Sequence, residues 1–237
     1  MKKIITLTLL SSVIWSCAEM SSVLQEVNNA TNTTTPSLTN AEVISGLKEA
    51  LTVGTNNSTT LTSKLDGFYK NPEIFIPFPE EATQVKEKVE AIGMKKQVDD
   101  FVLTLNRAAE TASKEAAPIF IDAIKNMSIA DGFTILKGEK NAATQYLREK
   151  TSANLKIKFN PIVKNAVATA EVTKYWNPVI SAYNKIPFTE KQNPNLEDYI
   201  TTKAMDGLFL MIQKEEANIR LNPAARVSDI LKKVFGN

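Results

Sequence analysis

Ala204-Met205-Asp206-Gly207-Leu208-Phe209-Leu210-Met211-Ile212 is the stretch on which the fold turns. From Gly207 to Ile212 it is apolar on every side, which marks a helix buried on several faces. The helix around it runs from Leu196 to Arg220, with Asn195 as N-cap and Leu196, Ile200, Ala204, Leu208, Met211, Ile212 and Ile219 in one stripe. A core helix needs other helices to cover it.

Working outward, those partners are present. Pro223 begins a closing helix with Ile230, Leu231, Val234 and Phe235 inward. Upstream, Ala142 to Asn184 reads as helix with restarts at Asn160-Pro161 and Asn177-Pro178, where Asn caps and Pro takes the first position. Leu155, Ile157 and Phe159 alternate with lysines as a strand would, but the i+4 line from Leu147 through Thr151 fits a helix better. Ser128-x-x-Asp131 caps a helix that stops at Gly138, and Pro118 restarts or kinks the helix begun at Val98, Phe101, Val102, Leu105, Ala108, Ala109 and Ala112. Glu80 to Ile92 is a short charged helix with Pro79 at its start and Gly93 as its stop.

Residues 71–79 are the exception. Prolines at 77 and 79 hold the residues before them extended, so Glu73-Ile74-Phe75-Ile76-Pro77-Phe78-Pro79 is an apolar arm that must lie on something. The first helix opens with the capping box Thr39-Asn40-Ala41-Glu42 and carries Ile44, Leu47, Leu51, Gly54, Ser58, Leu61, Leu65 and Phe68 as its stripe, ending near Tyr69. Gly54 and Ser58 in that stripe mean either that another helix comes close or that the helix breaks at Thr55-Asn56-Asn57. The fold class is all-α: a single multi-helix domain, residues 39–237, with one short extended arm.

The N-terminus is an address. Lys2 and Lys3 precede an apolar run from Ile4 to Ser16 that is too short to span a bilayer and has the layout of a secretory signal. Ile14-Trp15-Ser16-Cys17 resembles the lipobox of bacterial lipoproteins, Trp15 being its departure from the pattern. The resemblance implies removal of 1–16, lipid on Cys17, and membrane anchoring through that lipid. The alternative is an ordinary signal cleaved elsewhere. Residues 17–38 are rich in Asn, Thr and Ser and read as a flexible tether reaching on the order of 25 Å. Ala18, where aspartate would resemble inner-membrane retention, points to the outer membrane facing the periplasm if the source has two membranes.

Composition narrows the chemistry. Lys2 and Lys3 supply the whole net charge of +2, so residues 17–237 are neutral and lack the basic footprint that nucleic acid needs. The chain has no histidine and one cysteine, Cys17, which removes histidine-based triads and histidine or thiolate metal sites. No cofactor, metal or catalytic residue is expected. Ser45-Gly46-Leu47-Lys48 matches Ser-x-x-Lys but lacks the Lys-Thr-Gly partner. The adjacent carboxylates Glu80-Glu81, Asp99-Asp100 and Glu215-Glu216 point apart on a helix and read as solvated faces. Arg148 to Lys174 carries a local +4, either a solvated face or one that meets anionic headgroups.

Asp206, inside the core stretch, and Asn106-Arg107, interrupting an apolar helix, are the polar oddities. A buried aspartate needs a partner, and Arg107, Lys203 or Arg226 can supply it. Asn106, Arg107, Lys203, Asp206 and Arg226 are therefore read as one buried polar cluster, either structural or lining a pocket.

Six strings taken together resemble a bacterial family called domain of unknown function 4197: Gly46 to Leu51, Asp66 to Tyr69 with Asn71 to Ile74, Asn106 to Glu110, Ala116 to Phe120, Asp206 to Phe209, and Asn222 to Arg226. The resemblance spans about 38–235 and implies an exported, mostly helical, often lipid-anchored protein, with no activity or site residues to carry over. The functional expectation is non-enzymatic binding of an envelope protein, lipid or apolar ligand. The alternative is an envelope hydrolase using dispersed carboxylates or Ser45 and Lys48, and a purely structural spacer comes third.

Overall fold

A computed structural model describes residues 39–169 and 195–222, with isolated positions at 181, 184, 185, 187, 225, 228, 229 and 232. The expected signal, lipidated cysteine and tether, the Asn177-Pro178 restart, the closing helix from Pro223 and Arg226 lie outside the described residues. Seven α-helices are described: α1 (Asn40–Ser63), α2 (Thr83–Ala91), α3 (Lys95–Ser113), α4 (Ala116–Lys125), α5 (Ile129–Lys137), α6 (Ala142–Thr169) and α7 (Leu196–Leu221). Among the described residues there is no strand, as an all-α reading requires.

The α7 helix is the hub. It packs on α1, α3 and α6, and Ile200, Ala204, Leu208, Phe209 and Ile212 are all buried. Asn195 caps it by accepting the Asp198 N–H at 2.9 Å.

Helix α1 runs unbroken through Thr55-Asn56-Asn57 because α7 lies against it. A Cβ on Gly54 would sit 3.5 Å from Glu215 Cβ and 3.7 Å from Ile219 Cδ1. The hydroxyls of Thr55, Ser58, Thr59 and Thr62 are buried on this face, each bonded 2.8 Å from the carbonyl one turn earlier. Internal satisfaction of this kind lets a polar stripe enter a core. The capping box at Thr39 and Glu42 is formed.

The helix ends earlier than the stripe predicts, at Ser63 rather than near Tyr69. Leu65 is 73% exposed, and Phe68 reaches the core through a turn. That turn carries Asp66 at φ +65°. It folds back so tightly that a Cβ on Gly67 would lie 2.4 Å from the Leu61 carbonyl oxygen. Only glycine fits there.

The arm is extended only from Phe75 onward: residues 72–74 form a turn in which the Ile74 and Phe75 N–H groups donate to the Asn71 carbonyl. Ile74, Ile76 and Phe78 are buried and Phe75 and Pro77 turned out. Its bed is α3 and α7: Phe78 meets Phe101 edge-on at 5.4 Å. A Cβ on Gly207 would meet Phe68 Cε1 at 2.8 Å and Ile74 Cβ at 3.1 Å. Beyond the arm, a 3-10 turn at Glu80–Ala82 leads into α2, and Gly93 stops it at φ +86°.

A second departure is α6. It passes straight through Asn160-Pro161, where a restart is predicted. Proline removes one helical donor, but the buried line Leu155, Phe159, Val163 and Val167 continues on both sides, and the packing outweighs the lost bond. Asn160 is helical instead of a cap, and its Oδ1 accepts from Thr201 Oγ1 at 3.0 Å. Ile157 is 68% exposed while Leu155 and Phe159 are buried, which is the helical period and not the strand period.

Candidate functional site

Of the five residues grouped as one polar cluster, Arg226 lies outside the described residues and the other four do not form one cluster. Asn106 is fully buried on α3, and its amide holds the arm: Oδ1 accepts the Ile76 N–H at 2.9 Å while Nδ2 donates to the Ile76 carbonyl at 2.8 Å. It supplies the arm with the bonds that a neighbouring strand would offer. Arg107 donates to Glu110 Oε2 and Asp66 Oδ1, both at 2.7 Å, and stacks 5.6 Å from the Tyr69 ring. Lys203 is exposed and lies 5.7 Å from the Tyr199 ring.

Asp206 corrects the expectation most plainly. It is half exposed, not buried, and its partner is Arg148 of α6 at 2.7 Å, not Arg107 or Lys203. The Arg148 guanidinium lies 4.4 Å from the Phe209 ring, so the pair roofs the core instead of sitting inside it. The cause is angular: Gly207 and Leu208 turn inward, leaving Asp206 at the rim, where α6 passes.

Two carboxylates are buried: Glu110, to which the sequence assigned no role, and Glu216, whose reading as part of a solvated Glu215-Glu216 face is corrected because the start of α6 arrives on it. Glu110, 4% exposed, accepts the backbone N–H groups of Phe68 and Tyr69 at 3.1 Å, with Arg107 one turn earlier on α3. Glu216, 7% exposed, accepts the N–H groups of Ala143 and Thr144 at 3.1 and 2.9 Å, the Thr144 hydroxyl at 2.8 Å, and Arg220 one turn later on α7. Those amides belong to the first turn of α6, which has no internal acceptor for them, and a carboxylate also suits the positive helix end. The only available signal was a Glu–Arg spacing of three or four, which is common on solvated helices. Both acids are saturated with donors and so have little capacity for proton transfer.

Of the remaining sequence candidates, Glu80, Asp99, Asp100 and Ser45 are exposed, and Lys48 and Glu215 are half-buried. Asp99 and Asp100 pair with Lys95 and Lys96 one turn earlier. Ser45 is exposed, and Lys48 Nζ donates to the carbonyl of Lys125 at the end of α4 at 2.9 Å.

Space for a ligand opens beside α6. A cleft of about 340 Å³ lies between α5 and α6, lined by Asp131, Thr134, Ile135, Gly138, Glu139, Ala142, Gln145, Tyr146, Glu149 and Lys150. A second, of about 250 Å³, runs from the same residues toward α4, adding Asp122, Ala123, Asn126, Thr151 and Asn154. Asp131, Tyr146 and Lys150 line both. Burial, then the nearby Asp131 and Glu149 carboxylates, push the Tyr146 phenol above its ordinary range, so it stays a neutral donor. Lys150 Nζ lies 5.7 Å from the Tyr146 ring. By contrast, an apolar cavity among Leu47, Leu51, Ala143 and Ile212 holds only about 20 Å³, room for about one water. Among the described residues no group of three or more acidic or cysteine side chains is placed to hold a metal, and no helix is long and apolar enough to cross a membrane.

A family model described as "Protein of unknown function (DUF4197)" matches residues 37–236. The chain belongs to this family. No curated protein and no solved structure matches it. Within this DUF4197 chain, three of the six strings that carry the likeness converge on one assembly. Glu110 holds Phe68 and Tyr69, Asn106 holds the arm next to Asn71–Ile74, and Gly207 admits Phe68 and Ile74. That assembly is packed and hydrogen-bonded, a scaffold more than a site. Of the two clefts' lining, the strings contribute only Ile119.

Proposed function

We propose that this DUF4197 protein is a lipid-anchored binding module of the cell envelope. Cys17 would carry the lipid, with the outer membrane's periplasmic face as the favoured location, and the cleft around Tyr146 would be the ligand site. The observation that carries the binding reading is the charge of that cleft. Asp122, Asp131, Glu139 and Glu149 face a single Lys150 across its two lobes, with an aromatic ring between them. Negative walls beside a ring favour a small polar molecule with a positive charge. An apolar ligand, the broader expectation from sequence, finds less support in a 20 Å³ cavity. The hydrolase alternative is weakened by the commitment of Lys48 to a helix-end carbonyl and by the saturation of the buried glutamates.

Native mass spectrometry of the full chain with spermidine as first probe tests the cleft. The expected result is a discrete adduct that Tyr146→Ala abolishes and Asp206→Asn leaves intact. No adduct, or one indifferent to Tyr146, overturns the ligand class. The anchor is read separately from the mass of the N-terminal peptide, which should carry acyl chains on Cys17.

A further inference from the structure

Helix α6 has one line of residues that is exposed among the described residues. Lys150, Ile157, Pro161 and Lys164 fall within an arc of about 60° at 100° per residue, and Lys158 flanks them. All five are exposed. From Lys150 to Thr169 the helix contains no carboxylate.

The fold sorts the positive charges of this segment. Arg148 is taken by Asp206, and Lys156 is turned to Asp198 of α7 at 2.6 Å. Lys150, at the edge of the acidic cleft, pairs with the neighbouring Glu149 at 3.5 Å. Lys158 and Lys164 have no carboxylate partner among the described residues. What remains outward is a row of ammonium groups around an aliphatic side chain, 68% exposed at Ile157. That combination matches a bilayer headgroup region, where lysines meet lipid phosphates and an aliphatic reaches between them.

We propose that this face of α6 docks the domain onto an anionic lipid surface. The proposal rests on the anchored reading of Cys17, because three lysines and one isoleucine are too few to recruit a protein from solution with useful affinity. An anchored domain faces a different problem. A tether reaching on the order of 25 Å holds it at an effective concentration in the millimolar range, so a weak attraction is enough to select an orientation. Docked through α6, the domain would hold a fixed attitude at the surface.

The full chain has one cysteine, Cys17, so after acylation Ile157→Cys is the sole thiol available to an environment-sensitive fluorophore. On vesicles with about 30% phosphatidylglycerol in phosphatidylcholine, emission at 157 should shift to the blue relative to pure phosphatidylcholine. About 0.5 M salt should reverse the shift. A label at Glu87→Cys on α2, which does not pack on α6, should not move. Lys158→Gln with Lys164→Gln should lower the docked-to-free ratio about 25-fold, the equivalent of ~1 kcal/mol per lysine. Equal emission on both vesicles, or an equal shift at residue 87, overturns the docking face. An unacylated Cys17 peptide overturns the anchor alone. In that case the Cys17→Ser chain labelled at 157 is added to the same vesicles from solution, where a blue shift on anionic lipid sustains the face and its absence overturns it.

Discussion

Glu110 and Glu216 are each buried, each holds two consecutive backbone N–H groups of a segment distant in sequence, and each is neutralised by an arginine on its own helix. They differ in what the arginine does next. Arg220 also donates to the Ile135 carbonyl in the last turn of α5 at 3.3 Å. The pair therefore places a negative group at the start of α6 and a positive one at the end of α5, matching both helix dipoles at one corner. Arg107 instead reaches a second carboxylate, Asp66, which also pairs with Lys70 at 2.9 Å. The first pocket is a closed corner, with Glu216 at 4% and Arg220 at 19% side-chain exposure, and the second is a four-charge network open to water. Losing Glu110 leaves Arg107 a second carboxylate, Asp66.

The largest effect should follow from Glu216→Ala, which takes the carboxylate from Arg220 and the acceptor from the first amides of α6. Breaking a buried pair costs about 3–5 kcal/mol, so thermal denaturation followed by circular dichroism should show Tm falling on the order of 10 °C. Glu110→Ala should cost less, about 2–3 kcal/mol, because Arg107 keeps Asp66 while two amides lose their acceptor. An equal or larger loss for Glu110→Ala would erase the distinction between pocket and network.

A finer discrimination comes from pH. Lys70, then Arg107, hold the Asp66 carboxyl below its ordinary range. A depressed folded-state value contributes stability that is complete above the unfolded carboxyl's pKa of ~3.9 and is lost as pH falls through the folded value. Chemical denaturation of Asp66→Asn against the parent should show a constant gap near neutrality that closes below about pH 4. A gap that widens in acid would sink the assignment. The smallest effect belongs to the half-exposed pair: Asp206→Asn should change stability by no more than about 1 kcal/mol, within roughly 3 °C of Tm. A greater loss would mean that Arg148 depends on Asp206 to cover Phe209.

The helices were legible where apolar spacing was regular, as in α3, and where it agreed with a cap, as in α7 and at the boxes at Thr39 and Ser128. The arm was legible because proline forbids the alternative. Where two local signals conflicted, tertiary packing decided. Pro161 announced a restart, yet the buried line from Leu155 to Val167 carried α6 through it. The stripe running past Ser63 to Phe68 suggested more helix, yet Gly67 let the chain turn back and deliver Phe68 from another direction. The polar residues were least legible. Glu110 and Glu216 look like ordinary surface acids beside ordinary arginines, and only the arrival of a distant backbone end makes them core. Asp206 looked buried because its neighbours are, and one helical step of about 100° was enough to put it at the rim.

The place of α7 in the chain has a kinetic consequence. Synthesis delivers this helix after all the other described helices, yet α1, α3 and α6 all pack on it, and Glu216 completes the first turn of α6 more than seventy residues upstream. A nascent chain ending at Thr169 exposes Phe120, whose ring partner is Phe209, and Phe68, which rests at Gly207. Most of the core thus waits for the final third of the polypeptide. An interrupted chain presents aromatic surface to chaperones and proteases, while the intact one assembles late and nearly all at once.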